Sequence, residues 1–453
     1  MPDNKNAHIY SRDAVLDSYG GSSTYLLWLA GQLRDAGWTL SFFVLRGLWP
    51  NRRPWFRVRL AAEAFDAIVV PGHIRIGRYF VQLNFLTPWL IGVYTAAASL
   101  FMRLVRCLGE AWRPARGSFA RKRASALRRS PWNLAPATAR EAGYAARQIR
   151  TAGPALAIAN YAYLAPIFEK RIIFEKRIRG EFTSLILMHD LLSRHVDLLR
   201  SHGQPAPAPI SFQDELSWLR MADCVVAIQP AEAAVIREAV KPSAVVVVPQ
   251  GVRPVEPGSA TQPGRCLFVA SAAAPNADAL EYMVNEVWPE VRTRVPWAEL
   301  RVAGTVAARH RDGGRGIDYA GQVEDLEAEY RAAQVVVVPV RFGTGLKIKT
   351  IEALAHGCAC VSTPAGVEGL APEALAAVMI ARSATGFVDG VVRLLTNEQE
   401  RSLLSACALS AVRTCYTSEK CMEALLEFLR NAGAQGPGHA GPRACPEVTS
   451  VCE

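Results

Sequence analysis

The chain has 453 residues, half of them hydrophobic and a fifth charged, with a net charge of +10 and a pI near 9.2. A chain of this length is expected to form two or three domains with sizeable cores, which excludes a fibrous or wholly disordered protein. Its ten cysteines are scattered, with no Cys-x-x-Cys pair and no His/Cys cluster of zinc-like spacing, which argues against a metal site and for a reduced, cytosolic compartment.

The first residues, MPDNKNAHIYSRD, are polar and lack the apolar core of a signal peptide, so secretion is not expected. Gly20-Gly21-Ser22-Ser23 then precedes an amphipathic helical segment, Thr24 to Ala36, and a strand, Leu40 to Leu45. A glycine pair opening a long helix suits an anion site, and a simple turn is the other reading. Short strands are predicted at Ala67 to Val70, Ala155 to Ala159, Ser184 to Met188, Cys224 to Ile228 and Val245 to Pro249, separated by helical stretches.

One segment breaks this rhythm. Tyr79 to Met102 contains no charged residue, and Arg103 to Arg129 carries nine Lys or Arg against one acidic residue, Glu110. The apolar stretch is long enough to span a bilayer. A span there would split one sheet across the membrane, so a transmembrane helix is rejected. Helices packed in the N-terminal core, or a segment lying in the membrane interface, both remain open. The basic run beside it favours contact with an anionic membrane surface, each charge contributing about 1 kcal/mol. No nucleic-acid motif accompanies it, and the aromatics lie mostly in the apolar run and not among the arginines.

Arg253 to Gly264 holds five prolines or glycines among mostly polar residues and reads as a linker. The second half restarts with a strand, Leu267 to Ala270, a long helix from Pro275-Asn276 to about Arg294, and a strand at Leu300 to Ala303. Val335 to Val340 is β-branched except for Pro339, as suits a parallel strand covered on both faces. After it come a glycine-rich loop, a helix from Ile351 to His356 stopped by Gly357, and a strand from Cys358 to Ser362. Such a loop lies at the carboxyl edge of an open α/β sheet, where glycines let backbone N–H groups approach a phosphate. Lys347 and Lys349 add positive charge there, and Glu352, one turn into the helix, is placed to accept from ribose hydroxyls. His356 suits the negative end of its helix. The Gly-, Ala- and Pro-rich residues from about Asn431 are expected to be disordered.

The pattern G-T-G-L-K-x-K-x-x-E-A-L-A-x-G followed by S-T-P-x-G-x-E-G-L resembles the nucleotide-sugar signature of family 4 glycosyltransferases, retaining enzymes built from two Rossmann domains (GT-B). LFVAS...PN.DAL around Asn276, ELRVAG ending at Gly304, YAGQVEDL around Gly321 and MADCVVAIQ near Asp223 resemble further stations of that family. It usually carries two glutamates eight positions apart. Glu352 matches the second, implied to hold the nucleotide ribose, and Thr344 stands at the first. Ser271 replaces a common glycine, and the family's Arg plus Lys pair after the first C-domain strand is absent, so Lys347, Lys349, Arg341 or helix N-termini must meet the phosphate charge. The resemblance also implies that Gly20 and Gly21 face donor phosphate and acceptor, and that His189, after the strand ending at Met188, lies near the donor sugar. Asp190 is expected to be the N-cap of LLSRHVDLLR.

The sequence therefore predicts an α/β protein of two Rossmann-like doubly wound domains facing a central cleft: 1–252 on the acceptor side, a linker at 253–264, a nucleotide-sugar-binding domain at 265–430 and a disordered tail at 431–453. The implied activity is metal-independent retaining sugar transfer from a nucleotide-diphosphate sugar to a glycan or lipid-linked acceptor in cell-surface polysaccharide biosynthesis. It is expected at the cytoplasmic side, peripheral on the inner face of the plasma membrane, with no cofactor. His189 and Lys347 are the expected catalytic residues, and Gly20, Gly21, Arg341, Thr344, Gly345, Lys347, Lys349 and Glu352 the expected binding residues. A GT-B nucleotide-sugar epimerase and a non-catalytic glycosyltransferase-like binding subunit are the alternatives.

Overall fold

A computed structural model describes residues 5–12, 21–45, 55–57, 64–71, 73–76, 79–82, 134–169, 182–241, 243–256, 261–309 and 314–434. The first half supplies β1 (Asn6–Ser11), β2 (Thr39–Val44), β3 (Trp55–Arg57), β4 (Ala67–Val69), β5 (His73–Ile76), β6 (Tyr79–Gln82), β7 (Leu156–Asn160), β8 (Thr183–Met188), β9 (Cys224–Ala227) and β10 (Ala244–Val247). Seven of these form one parallel sheet in the order β10-β9-β8-β7-β1-β2-β4, and β3, β6 and β5 form a small antiparallel sheet. The second half supplies β11 (Arg265–Val269), β12 (Glu299–Ala303), β13 (Ile317–Gly321), β14 (Val335–Val338), β15 (Cys360–Ser362) and β16 (Val378–Ile380), in a parallel sheet ordered β13-β12-β11-β14-β15-β16.

The chemistry of the strands explains the layering. All four valines of β14 are buried, so both faces of the strand must be covered. Each such side chain contributes about 1.5 kcal/mol on burial. β1 lies in the stretch read above only as polar. Its buried His8 and Ser11 mask a central strand whose Ile9 and Tyr10 are fully buried. The long helix expected after Asn276 is continuous in direction but not in pitch: α-helix Ala274–Tyr282, a π-helical turn Met283–Val287, then α-helix Trp288–Arg294. Pro289, which lacks an N–H, sits in the first turn of the last piece.

Tyr79–Gln82, expected to begin a helical or interfacial segment, is instead the central strand of the small sheet, paired with both β3 and β5. The rest of the apolar and basic run, from 83 to 133, lies outside the described residues, as does Gly20. Among the described residues no helix is long and apolar enough to cross a membrane. At the other end the helix Ser418–Ala434 runs past Asn431, held by buried Leu425 and Leu429. It crosses back to the first half. Trp28 Nε1 donates to Ser418 Oγ at 3.2 Å, and a Cβ on Gly251 would meet Ser418 Cα at 2.8 Å.

Each sheet has one place where its strand order reverses. In the first it is between β1 and β7, and in the second between β11 and β14. The loops leaving these strands flank the crevice where open α/β sheets bind ligands.

Candidate functional site

In the second half the crevice is lined by the loop that leaves β14. Gly343 and Gly345 have φ of 141° and 70°, values that favour glycine. A Cβ on Gly345 would lie 2.9 Å from the His189 carbonyl oxygen, so this backbone is pressed against the first half. Lys347 is buried, and its Nζ folds back to donate to the carbonyls of Gly345 at 2.8 Å and Thr344 at 3.1 Å. Burial pulls its pKa down against the pull of Glu368, Glu232 and Asp190. Lys349 Nζ donates to Asn276 Oδ1, joining the loops on either side of the reversal between β11 and β14, and lies 5.6 Å from the Phe268 ring centroid. Burial, helped by Lys347, lowers its pKa to about 7. Glu352 Oε2 accepts from Tyr330 Oη at 3.2 Å, and burial raises its carboxyl pKa despite that bond and Lys349. His356 caps its helix, its Nδ1 2.8 Å from the Glu352 carbonyl, with its ring stacked on Tyr330.

Across the crevice, a polar line runs along the carboxyl ends of β1, β7 and β8. Asn160 Nδ2 donates to Ser11 Oγ at 3.0 Å, so its Oδ1 accepts from His189 Nε2 at 2.7 Å. Nδ1 of His189 then carries a lone pair and has no partner among the described residues. Burial pulls this imidazole down to about 4, which keeps it neutral. Tyr25 meets its ring edge-on and Tyr161 lies 4.3 Å from it. Tyr161 has φ of 91°, the single positive value on a non-glycine among the described residues. Backbone strain of this kind concentrates at functional sites. The helix Gly21–Asp35 also points its N-terminus here: a Cβ on Gly21 would lie 3.5 Å from Ile348 Cδ1, at the start of the helix Ile348–Ala355. Two helix N-termini therefore converge where an anion is favoured.

Asp190 does not cap the helix that follows. The helix is Leu192–Ser201, and Glu215 caps it, accepting from the N–H groups of Leu192 at 2.7 Å and Ser193 at 2.9 Å. Asp190 Oδ2 instead accepts from Thr344 Oγ1 at 2.7 Å and lies 3.0 Å from His195 Nδ1. Burial opposes the Asp190 charge, but His195 and Thr344 outweigh it and hold the carboxyl below its usual range. Glu232 is fully buried close by, beside the N–H groups of Leu191 and Gly345. Burial, reinforced by Asp190, pushes its carboxyl up to about 7.

Of the residues singled out from sequence, Gly21, His189, Thr344, Gly345, Lys347, Lys349 and Glu352 are gathered around the crevice. Arg341 is turned aside: its guanidinium donates twice to Asp278, at 2.9 and 2.6 Å, and sits over the Tyr282 ring. Asn160, His195, Glu232 and Tyr330 were not anticipated. Each acts through a residue distant in sequence, and only His195 carried a local hint, one turn after Asp190 in MHDLLSRH. Among the described residues no group of three His, Cys, Asp or Glu is arranged to hold a metal ion.

Residues 263–397 match the model of the family described as glycosyl transferases group 1. The fold resembles a sucrose-phosphate synthase from Thermosynechococcus elongatus at TM-score 0.60 and 17% identity, over 95% of this chain and 99% of that one. It also resembles an α,α-trehalose 6-phosphate synthase from Burkholderia multivorans (TM-score 0.56, 14% identity, 97% and 100% covered). A third likeness is to HepE from Anabaena, solved with UDP and glucose (TM-score 0.56, 11% identity, 94% and 100% covered). No curated protein matches the chain in sequence.

Proposed function

From a chain that carries the glycosyl transferases group 1 match over residues 263–397 on a GT-B fold, we propose a retaining glycosyltransferase of the family 4 type. It moves a sugar from a nucleotide-diphosphate donor to a glycan or lipid-linked acceptor. The observation that carries this reading is the meeting of two helix N-termini, at Gly21 and Ile348, beside half-buried Lys349 and a glycine loop of positive φ. Backbone donors and lysine charge aimed at one point stabilise a leaving diphosphate, whose charge grows as the glycosidic bond breaks. Lys347 shapes the loop and supplies charge behind it. Glu352 takes the ribose hydroxyls in place of the Tyr330 hydroxyl. His189, neutral and with Nδ1 bare, accepts a hydroxyl of the sugar, while its carbonyl packs on Gly345. The acceptor hydroxyl attacks from the face the diphosphate leaves, so the reaction needs no protein nucleophile and no metal ion.

The liganded relative, a complex with UDP and glucose, supports a uridine-type donor as the first to try. The basic run from Arg103 to Arg129, next to uncharged Tyr79 to Met102, supports work at the inner face of the plasma membrane on a polysaccharide precursor. A hydrolysis screen over UDP-, GDP- and ADP-sugars tests the activity. Release of sugar from one donor with retained anomeric configuration is expected. Inversion at the anomeric carbon removes the retaining mechanism, and no release from any donor favours a non-catalytic binding subunit.

A further inference from the structure

Where the donor loop meets the segment after β8, three side chains make contacts for which the transfer proposed above has no use. Thr344 spends its only hydroxyl proton on Asp190 Oδ2, so His195 Nδ1–H, 2.7 Å from Thr344 Oγ1 and 3.0 Å from the same carboxylate oxygen, donates into the pair. Asp190 follows β8 and His195 lies in the first turns of the helix Leu192–Ser201, whereas Thr344 comes from the other half of the molecule. The three are at most half-exposed and sit directly behind Gly345, whose backbone abuts the His189 carbonyl. We infer that Asp190, His195 and Thr344 form a clasp between the two halves that fixes the donor loop, making Asp190 and His195 positioning residues for the nucleotide. The inference rests on the donor-loop reading proposed above.

The chemistry of the neighbourhood accounts for a hydroxyl at 344. Glu232, from the helix Pro230–Ile236, is already buried beside Gly345, and Asp190 is charged. A third carboxylate here would repel both, whereas a threonine donates to one and accepts from His195. The remaining titratable and charged groups around the clasp are Lys347 on the loop, neutral His189 on the strand end, Glu215 on the helix Phe212–Leu219, and the Arg194–Glu368 pair at 2.6 Å on the exposed rim. Two loop residues of positive φ gain little order from their own side chains, so an external tie has something to do. Asp190 raises the pKa of His195 over the opposing effect of its burial. The charged pair is therefore complete below that raised value and is lost as pH rises through it, and Asp190 stays ionised throughout.

The test compares wild type with Thr344→Val, Thr344→Ser, His195→Gln and Glu352→Gln in two measurements. One is hydrogen-exchange protection of residues 343–347 without nucleotide, as protection factors across pH. The other is calorimetric affinity for UDP, GDP and ADP. Thr344→Val should lose about tenfold or more in both, the worth of a hydrogen bond to a charged group. Thr344→Ser should recover both, and the alkaline loss of loop protection in wild type should be absent from His195→Gln. Unchanged protection in Thr344→Val overturns the clasp. Protection lost with nucleotide affinity unchanged overturns its positioning role. Wild type that binds none of the three nucleotides, or Glu352→Gln that binds as wild type does, overturns the donor-loop reading instead, and the protection factors still decide the clasp.

Discussion

Lys349 and Lys347 stand two residues apart and do different work. Lys347 satisfies its three donors on the loop's own carbonyls, so its removal affects loop shape as well as charge. Among the described residues Lys349 has a single side-chain acceptor, Asn276, and burial leaves its pKa at about 7, so near neutral pH it is partly uncharged. On the function proposed above, a diphosphate bound beside it would restore the proton. The sign follows from linkage: the pKa in the complex is raised above about 7, so the affinity gained from Lys349 is fully present below 7 and is lost as pH rises toward the complex value. Calorimetry at pH 8 in buffers of different ionisation enthalpy should therefore record proton uptake on nucleotide binding. Lys349→Ala should abolish that uptake and weaken binding by about tenfold, the scale of one charge-assisted bond.

At the scale of elements, the short helix Pro230–Ile236 places Glu232 where no water reaches, beneath the donor loop. Its carboxyl has a folded pKa of about 7 against the ordinary 4.5. This raised value means that ionisation costs stability, beginning as pH climbs through 4.5 and complete above about 7. Glu232→Gln should thus be close to neutral at pH 4.5 and stabilise by about 3 kcal/mol at pH 8, read by urea denaturation. A constant effect across that range would remove the carboxyl from its buried setting. The strand β14, the loop and the helix after it were legible because a run of valines, two glycines and an apolar helical face are local signals. β1 was not, because His8 and Ser11 interrupt its pattern and only tertiary burial makes them inward. Asp190 was misplaced as a cap for a related reason: its partner Thr344 is 154 residues further on, and Glu215 caps the helix from 23 residues away. Arg341 looked free to meet phosphate until the helix Ala274–Tyr282 brought Asp278 to it.

In the molecule as a whole, the halves touch through backbone more than through side-chain charge. Gly345 lies against His189, a Cβ on Gly369 would collide with Gln229 Oε1 at 2.3 Å, and Gly251 packs on Ser418. The exposed Arg194–Glu368 pair adds little to these. If the whole protein works on a membrane surface, binding to vesicles should require acidic lipid and fall with salt, since exposed charges are screened beyond about 10 Å at roughly 0.1 M. Replacing Arg121, Lys122 and Arg123 by glutamine should reduce that binding while donor hydrolysis survives. Trp89→Ala should weaken it even at low salt. Indifference to anionic vesicles at low salt would point to a soluble acceptor. The central claim, that the loop after β14 and its helix hold a nucleotide, is tested most directly by titrating UDP into wild type and Glu352→Gln by calorimetry. A carboxylate accepting two ribose hydroxyls contributes about 1.5–3 kcal/mol per bond, so the variant should bind at least about tenfold more weakly. Equal affinity of the two proteins would contradict it.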